Sequence, residues 1–369
     1  MTASLYIGLM SGTSLDGVDG VLVDFSATPW RVLAHQSLAL PAELKAELLA
    51  LNQSGDDELH RAALAANGLV RVYAQVVKRL LEDQHLKAQD IRAIGAHGQT
   101  VRHRPGLFDA TGYTLQLNNP ALLAELTRIS VVADFRSRDV AAGGQGAPLV
   151  PVFHQHMFGD ATHAQAVLNL GGIANLSVLR PNGDLLGFDC GPANALLDHW
   201  CQQHTGQDFD HSGQWAQSGV VHEALLHQLM QEPFLQQTPP KSTGRDLFHP
   251  EWLHAHLQAF DALPAADVQA TLTEFTARAC AQDVARHAND AQRLIVCGGG
   301  ALNHFLMARL QAGLAMPVVS SQTCGMPPLQ VEACAFAWLA HQTLLGLPGN
   351  SPKVTGAQGA RILGGIYPA

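Results

Sequence analysis

The sequence predicts an α/β protein of two domains, each a mixed five-stranded sheet flanked by helices. The chain has 369 residues, which suits about two domains of ~150 residues each. Hydrophobic residues make up 47% and charged residues 14%, a composition typical of a folded chain. One order of elements also occurs twice. We therefore expect domains at residues 1–134 and 135–369, the second with an insertion near 205–265, and a C-terminal end that packs back on the first domain.

Three strands open the first half, predicted by apolar, alternating or β-branched runs at Leu5–Met10, Val18–Phe25 and Trp30–Leu38. Their short links predict an antiparallel meander. The pattern then changes to the helical period over Asp57–Gln84, whose apolar residues fall on one face of a long helix. The half continues with strand Ile91–Ala96, a helix near Pro120–Thr127 and strand Ile129–Ala133.

The second half repeats this order of elements without clear sequence identity to the first. Its predicted strands are Val167–Leu170, Asn175–Leu179, Leu185–Cys190, Arg293–Cys297 and Pro317–Ser320. Its predicted helices are Ala193–His204, Asp267–His287, Leu302–Gln311 and Gln330–Leu345. Ligands favour the junctions between domains, so we expect the active site in a cleft between the two halves.

Composition excludes several classes of protein. With 22 Lys+Arg against 31 Asp+Glu the formal charge is −9, which argues against nucleic-acid binding, since that needs a basic surface. No apolar run approaches the roughly 20 residues of a membrane span. The N-terminus lacks the basic region and cleavage site of a signal peptide, so we expect a cytoplasmic protein. None of the six cysteines has CxxC spacing, which favours reduced thiols.

Three glycine-rich turns follow predicted strands, at Ser11–Ser14, Gly171–Gly172 and Gly298–Gly300. Glycine lets backbone N–H groups approach an anion closely, and the third turn opens a helix, whose N-terminus also favours anions. A tight hairpin explains any one of them, but three at equivalent places predict a polyphosphate site. The motifs GxxxxGK[ST], GxGxxG after the first strand and GxSxG are absent, which argues against P-loop, Rossmann and α/β-hydrolase enzymes.

Longer motifs give the chain a family resemblance. Ser11–Asp19, Asn169–Ser177 and Gly298–Asn303 resemble the two phosphate motifs and the adenosine motif of the sugar kinase and actin superfamily. More closely, the chain resembles the anhydro-N-acetylmuramic acid kinase family in the segments Gly8–Asp19, Gly95–Thr100, Ala133–Arg136, Asn169–Gly172, Gly187–Pro192 and Lys241–Arg245. The resemblance runs from Leu5 to Tyr367.

The resemblance implies two actin-like (ribonuclease H-like) domains and a definite reaction. ATP phosphorylates O6 of 1,6-anhydro-N-acetylmuramic acid while water opens the anhydro ring at C1, giving N-acetylmuramic acid 6-phosphate and ADP. The implied role is recycling of peptidoglycan fragments, the cofactors are ATP and Mg²⁺, and the partners are these small molecules. A homodimer is compatible with the resemblance.

The resemblance makes Asp189 the general base, because an ionised carboxylate can accept a proton from a positioned water. Spacing alone leaves the alternative that Asp189 caps the following helix. For ATP binding, the resemblance selects Gly12, Thr13, Ser14, Leu15, Asp16, Gly17, Val18, Asp19, Gly171, Gly172, Gly298, Gly299 and Gly300. An ordinary turn is the alternative for the first of these segments.

Polar residues near predicted strand ends and one helix start are the candidates for sugar binding: His97, Gln99, Thr100, Arg136 and Glu332. An Arg could hold the lactyl carboxylate with two hydrogen bonds, with a surface ion pair as its alternative. For residues 97–100, the alternative is a loop whose polar side chains hydrogen-bond to its own backbone. For Glu332, the alternative is a carboxylate that is favourable near a helix N-terminus. Lys241 and Arg245 could touch an anionic group or lie in a solvated loop.

The Mg²⁺ ligands are left open. The superfamily usually has an Asp just before each phosphate turn, whereas this chain has Leu9 and Asn169 there, with Asp16 and Asp19 as nearby carboxylates. Two other classes of function also remain. An actin-like ATPase or ATP sensor would not need the polar residues at 97–100 and 136. A sugar hydrolase using Asp189 with a second carboxylate would not need three phosphate-type turns.

Overall fold

The structure is a computed structural model, and it describes residues 4–12, 15–26, 30–244 and 247–369. Its strands, in chain order, are β1 (Leu5–Met10), β2 (Gly17–Asp24), β3 (Arg31–Ala39), β4 (Ile91–Ala96), β5 (Gln99–Pro105), β6 (Gly112–Leu117), β7 (Val131–Ala133), β8 (Ala164–Leu170), β9 (Ile173–Leu179), β10 (Leu185–Pro192), β11 (Ala291–Cys297), β12 (Val318–Ser320) and β13 (Gly365–Tyr367). Its helices are α1 (Ala42–Ala50), α2 (Glu58–Asp83), α3 (Pro120–Thr127), α4 (Ser137–Ala141), α5 (Val150–Phe158), α6 (Asn194–Thr205), α7 (Gln214–Ser218), α8 (Glu223–Leu229), α9 (Pro250–Leu257), α10 (Ala265–His287), α11 (His304–Gly313), α12 (Val331–Leu344) and α13 (Pro352–Thr355).

The chain divides into two compact units. Unit 1 comprises the residues up to Phe153 together with Gln330–Ala369, and unit 2 comprises His154–Leu329. The boundary expected at residue 134 differs from this division and falls inside unit 1. The reason is that Arg136 and Asp139, just beyond it, hydrogen-bond within unit 1, to His97 and to Thr355 respectively.

Unit 1 is built on a mixed sheet of order β13-β7-β4-β1-β2-β3. Strands β1, β4 and β7 run parallel, whereas β1, β2 and β3 form the expected antiparallel meander. The prediction of five strands is wrong for this sheet, because the C-terminal segment returns and β13 pairs antiparallel with β7. A separate two-stranded sheet of β5 and β6 was not predicted.

Unit 2 is built on a five-stranded sheet of order β10-β9-β8-β11-β12. Strand β9 is antiparallel to β8 and β10, and β8, β11 and β12 run parallel. This is the order and direction of β3-β2-β1-β4-β7 in unit 1. The predicted α/β class of actin-like domains, with one plan used twice, is therefore confirmed.

Helices cover the sheets with their apolar faces. Helix α2 buries Leu69, Tyr73 and Val76 completely against the unit 1 sheet. Helix α12 lies close to β1 and β4, since a Cβ on Gly8 or Gly95 would collide with its backbone. Within the ranges that the structure describes, no helix has the length and apolarity to cross a membrane.

The segment near 205–265 contains α7, α8 and α9. Its apolar side chains form a cluster with residues of α6 and α10, including Leu225, Phe248, Leu253 and Phe275, each at most 1% exposed. The segment therefore belongs to the folded core of unit 2 and is not a solvated appendage.

Candidate active site

The first glycine turn is tied to a neighbouring strand by a buried tyrosine. Ser11 follows β1, and its Oγ donates to the Gly98 carbonyl oxygen at 3.0 Å. Since this bond uses the hydroxyl proton of Ser11, the Tyr73 hydroxyl donates to Ser11 Oγ at 3.0 Å and accepts from Gly98 N at 3.0 Å. Burial raises the pKa of Tyr73, so the hydroxyl keeps its proton. The three groups hold the ends of β1 and β4 together.

Sequence reasoning did not select Tyr73 as a site residue. It lies on the buried face of α2, where the helical period alone places it in the core. A buried tyrosine hydroxyl usually has a polar partner, so the sequence could have indicated that Tyr73 makes a hydrogen bond. It could not have indicated with which residues, because Ser11 and Gly98 lie far from Tyr73 in the sequence.

The turn itself is fixed from the β5 side. The Gly12 carbonyl oxygen accepts from Gln99 Nε2 at 3.1 Å and from Leu15 N at 3.2 Å. Leu15 is buried with a left-handed φ of 59°, an unusual conformation for this residue type. The predicted ligands Thr13 and Ser14 lie outside the described residues.

Strand β2 begins at Gly17, where a side chain would not fit. A Cβ on Gly17 would lie 2.6 Å from the Leu38 carbonyl oxygen of β3. Val18, another predicted ATP ligand, is fully buried, so its side chain serves the core and only its backbone could contact a ligand.

Two carboxylates flank this strand start. Asp16 Oδ1 lies 3.8 Å from Lys45 Nζ, and the Asp16 side chain is 71% exposed. Asp19 Oδ1 lies 3.3 Å from His35 Nε2, and its side chain is 38% exposed. Both are accessible oxygen ligands of the kind that Mg²⁺ prefers. Among the residues described, no group of three or more His, Cys, Asp or Glu side chains forms a metal centre.

His97 and Arg136, predicted separately, are in direct contact. His97 Nε2 accepts from Arg136 Nε and Nη2, both at 3.1 Å. Burial, and then the Arg136 charge, lower the pKa of His97 to about 3, so the ring is neutral at pH 7. Because Nε2 is the acceptor, the ring proton is on Nδ1. Arg136 Nη1 also donates to the Gly146 carbonyl oxygen at 2.8 Å.

The other predicted sugar ligands lie in different elements of unit 1. Gln99 is buried and starts β5. Thr100 follows it, and its Oγ1 accepts from Gln116 Nε2 of β6 at 3.2 Å. Glu332 lies in the first turn of α12 and is half-buried. The structure thus connects Gln99 to the first glycine turn through Gly12.

The Gly298–Gly300 turn of unit 2 packs against the end of β8, the strand that leads into Gly171 and Gly172. A Cβ on Gly298, which has a φ of 78°, would lie 2.5 Å from Asn169 Oδ1, and one on Gly300 would lie 2.5 Å from Leu170 Cβ. Only glycine allows this approach. The Gly171 and Gly172 carbonyl oxygens accept from backbone N–H groups at the start of α6. Gly299 lies between Gly298 and Gly300, and an added Cβ there would have its nearest neighbour at 3.6 Å, Asn194 Nδ2.

Asp189 lies within β10 and is held by a loop of unit 2. Its Oδ2 accepts from Ser242 Oγ at 2.8 Å and from Thr243 N at 2.9 Å, and the residue is 9% exposed. The alternative reading, that Asp189 caps the next helix, is wrong, because the N-cap of α6 is Ala193 and has no side-chain cap.

The Lys241 side chain is neither a ligand-facing cation nor solvated. Its side chain is 0% exposed, and Nζ donates to Asp283 Oδ2 of α10 at 2.9 Å. Arg245, the other basic residue of this motif, lies outside the described residues. The roles of Ser242 and Thr243 beside Asp189 were not predicted, although they follow Lys241 in the same motif.

Two sheets of one actin-like plan, each with a glycine turn at the end of its first strand, define a protein of the sugar kinase and actin class. The family comparison is more specific, since the sequence model of the anhydro-N-acetylmuramic acid kinase family matches residues 4–369. Relatives named anhydro-N-acetylmuramic acid kinase are 61% identical in Albidiferax ferrireducens and in Variovorax paradoxus, each with 100% of both chains covered. The chain belongs to the anhydro-N-acetylmuramic acid kinase family.

The family prediction is thereby confirmed, and with it the prediction of a kinase that uses ATP and small-molecule substrates. Among solved structures, a ROK family glucokinase from Streptomyces griseus in complex with glucose and AMPPNP matches with a TM-score of 0.43 and 16% identity, covering 92% of this chain and 100% of that one. The activator of 2-hydroxyisocaproyl-CoA dehydratase from Clostridium difficile with bound ADPNP matches with a TM-score of 0.45 and 14% identity, covering 90% and 92%.

Proposed function

We propose that this enzyme phosphorylates 1,6-anhydro-N-acetylmuramic acid with ATP and opens its anhydro ring with water. The water oxygen bonds to C1 as the C1–O6 bond breaks, and O6 bonds to the γ-phosphorus as the bond to ADP breaks. The water proton passes to a general base. The products are N-acetylmuramic acid 6-phosphate and ADP, and the role is recycling of peptidoglycan fragments in the cytoplasm.

Asp189 is the base in this proposal, and its environment is the observation that carries it. A Ser242 hydroxyl and a Thr243 amide, both within 2.9 Å of Oδ2, hold the carboxylate in one orientation. Both groups donate to Oδ2, and an ionised carboxylate is an acceptor of such bonds. A fixed and ionised carboxylate is what proton abstraction from a positioned water requires.

The glycine turns bind the nucleotide in this proposal. Backbone amides of Gly12–Asp19 and of Gly171 and Gly172 bind the phosphates, and Gly298–Gly300 border the adenosine. Such amides are preorganised donors for phosphate oxygens. Backbone amides can bind phosphate oxygens without a charged side chain, which agrees with the absence of a P-loop lysine from the sequence.

Mg²⁺ fits this arrangement. In nucleotide sites it commonly binds one or two carboxylates plus the phosphates and water, so no cluster of protein ligands is needed. Asp16, which is exposed, and Asp19, which is partly exposed, lie near the first turn and are the carboxylates that would hold it. When bound, Mg²⁺ neutralises charge on the transferring phosphoryl group.

The sugar is bound by polar groups of unit 1. His97, Gln99 and Thr100 bind hydroxyl or acetamido groups, and Glu332 accepts from a hydroxyl. Arg136 binds the lactyl carboxylate. A homodimer is part of the proposal, and sedimentation would test it.

Measurement of ADP release with and without the anhydro sugar tests the function. Release that depends on the sugar, and is lost when a chelator removes Mg²⁺, is the expected result. Release without sugar would indicate an ATPase, and ring opening without ATP would indicate a hydrolase.

Asp189→Asn tests the base. The substitution keeps the size of the side chain but removes proton acceptance, so we expect kcat to fall by about 10²–10⁴-fold with ATP binding nearly intact. Asp261→Asn, at an exposed position of the same unit, is the matched control and should retain normal turnover. An Asp189→Asn enzyme with more than about a tenth of normal kcat would remove the base assignment.

A further inference from the structure

Lys241 is a buried cation at the start of the loop that holds Asp189. Residues 241–244 have no helix or strand of their own, yet the Lys241 side chain is 0% exposed. A long charged side chain is almost never fully buried unless it is paired, so this residue has a role that a surface loop does not require.

The ammonium group has partners on three elements. Nζ donates to Asp283 Oδ2 of α10 at 2.9 Å. It also lies 5.5 Å from the centre of the Phe188 ring on β10 and 5.0 Å from that of Phe234, within the range of a cation–π contact. Asp283 Oδ1 in turn lies 3.9 Å from Arg286 Nη1. Lys241 therefore fixes the loop to a helix and to an aromatic pair.

The same residue reaches Asp189 through the backbone. The Lys241 carbonyl oxygen accepts from Asp189 N at 3.1 Å, and the next two residues, Ser242 and Thr243, donate to Asp189 Oδ2. Both of these donors bind Oδ2, so the orientation of the Asp189 carboxylate depends on where residues 241–243 lie.

A buried ion pair is weak evidence for a stabilising role, because desolvation of both charges offsets much of their attraction. The pair can still restrict position, since the bond from Nζ to Asp283 Oδ2 holds the start of the loop against α10. Resting on the function proposed above, we propose that Lys241 is a positioning residue that, through Asp283, holds Ser242 and Thr243 against Asp189 and so orients the base.

Lys241→Met tests this inference, because it keeps the apolar stem and removes the ammonium group. We expect kcat to fall by about 10²-fold, the effect of a displacement of roughly 1 Å at a catalytic group. KM for ATP and for the anhydro sugar should stay within about threefold, because the loss is confined to the reacting step. A kcat within about threefold of the unaltered enzyme would overturn the inference.

Arg309→Met is the matched control. Arg309 Nε donates to Glu274 Oε2 of the same helix α10 at 2.6 Å, and Glu274 is buried, but neither residue contacts the 241–243 loop in any described hydrogen bond or ion pair. This variant should lower the unfolding temperature and keep kcat. An equal fall of kcat in both variants would show a general destabilisation and overturn the inference.

Two further variants decide the matter if Lys241→Met does not fold. The double variant Lys241→Met with Asp283→Leu removes both buried charges and leaves no unpaired carboxylate. A normal kcat in that protein would overturn the inference. A low kcat with a normal unfolding transition would support it. Ser242→Ala removes one hydroxyl at an exposed residue, and we expect a fall in kcat there too, with an unchanged kcat contradicting the inference. Failure of the proposed function gives a different result, namely an unaltered enzyme without sugar-dependent ADP release.

Discussion

Tyr73 shows how a single buried hydroxyl can fix the ends of two strands from the core. Its oxygen bridges Ser11 and Gly98 at 3.0 Å each, so two strand ends are fixed by a side chain that no ligand needs to touch. Tyr73→Phe would leave the buried Gly98 N–H without its acceptor. An unsatisfied buried donor costs about 1–3 kcal/mol.

We therefore expect Tyr73→Phe to lower the free energy of unfolding by about that amount and to raise KM for ATP. Urea unfolding and steady-state kinetics measure the two effects. Tyr367→Phe, at an exposed tyrosine of the same unit, is the control and should change neither. Unaltered stability in Tyr73→Phe would mean that another group replaces the hydroxyl.

His154 gives stability a pH dependence. Burial lowers its pKa to about 3, from about 6.5 for an exposed ring, and Nδ1 pairs with Ser177 Oγ at 2.8 Å. Between these two pH values the unfolded chain binds a proton on this ring that the folded protein excludes. The free energy of unfolding therefore falls as pH decreases from about 6.5 toward 3, by about 1.4 kcal/mol per pH unit for one ring. His97 acts in the same direction.

Urea unfolding at about pH 6 and 5 measures this slope, in a range above the ordinary pKa values of most carboxyl groups. His154→Gln keeps a polar group for Ser177 and should reduce the slope by about 1.4 kcal/mol per pH unit. His60→Gln, at an exposed histidine, should leave it as it is. Equal slopes in all three proteins would contradict a neutral buried His154.

The candidate site residues that the sequence could suggest are those with a local signal. The glycine turns follow strands and Asp189 lies near the end of β10, and such positions suggest a site. Tyr73 and Ser242 could not be selected this way, because their partners lie 62 and 53 residues away. Lys241 looked like a surface cation because Asp283, 42 residues further on, gives no local signal that it will bury the charge.

At the scale of elements, close packing of α12 on β1 and β4 depends on two glycines. A Cβ on Gly95 would collide with the Phe336 carbonyl oxygen, and one on Gly8 would collide with that of Ala333. The helix can approach the sheet this closely only where both side chains are absent. The motifs that contain Gly8 and Gly95 therefore serve packing as well as any ligand.

Gly95→Ala should accordingly lower the free energy of unfolding by about 1–3 kcal/mol or more, the usual cost of overpacking. Gly365→Ala, at an exposed strand residue whose added Cβ would have its nearest neighbour at 3.8 Å, is the matched control and should be nearly neutral. Thermal or urea unfolding compares them. Equal stability of the two variants would show that α12 can move away without loss.

Elements with strong periodicity were predicted well, and polar elements were not. The long helix predicted at Asp57–Gln84 is α2, at Glu58–Asp83, because its apolar face is continuous. The β5–β6 hairpin escaped prediction because β5 contains Arg102, His103 and Arg104 and lacks an apolar alternation. Strand β13 escaped because it has three residues, all exposed, and owes its existence to pairing with β7.

At the scale of the whole molecule, the two units differ in how the chain builds them. Unit 2 is one continuous segment, His154–Leu329, whereas unit 1 combines the N-terminal segment with Gln330–Ala369. Helix α12 in the second segment is buried along most of its length, from Ala333 to Ala340. A helix that is apolar all round must be covered by other elements, so neither segment of unit 1 is complete alone.

This construction predicts how fragments behave. Residues 154–329 expressed alone should unfold cooperatively in urea, because the apolar clusters around β8–β11 and around α8–α10 lie wholly within them. Residues 1–153 alone should show no cooperative transition, because the sheet lacks β13 and exposes the surface at Gly8 and Gly95 that α12 covers. Circular dichroism in urea measures both transitions, and a full-length chain is the control. A cooperative transition in the 1–153 fragment, or its absence in 154–329, would show that the division of the core does not follow these two units.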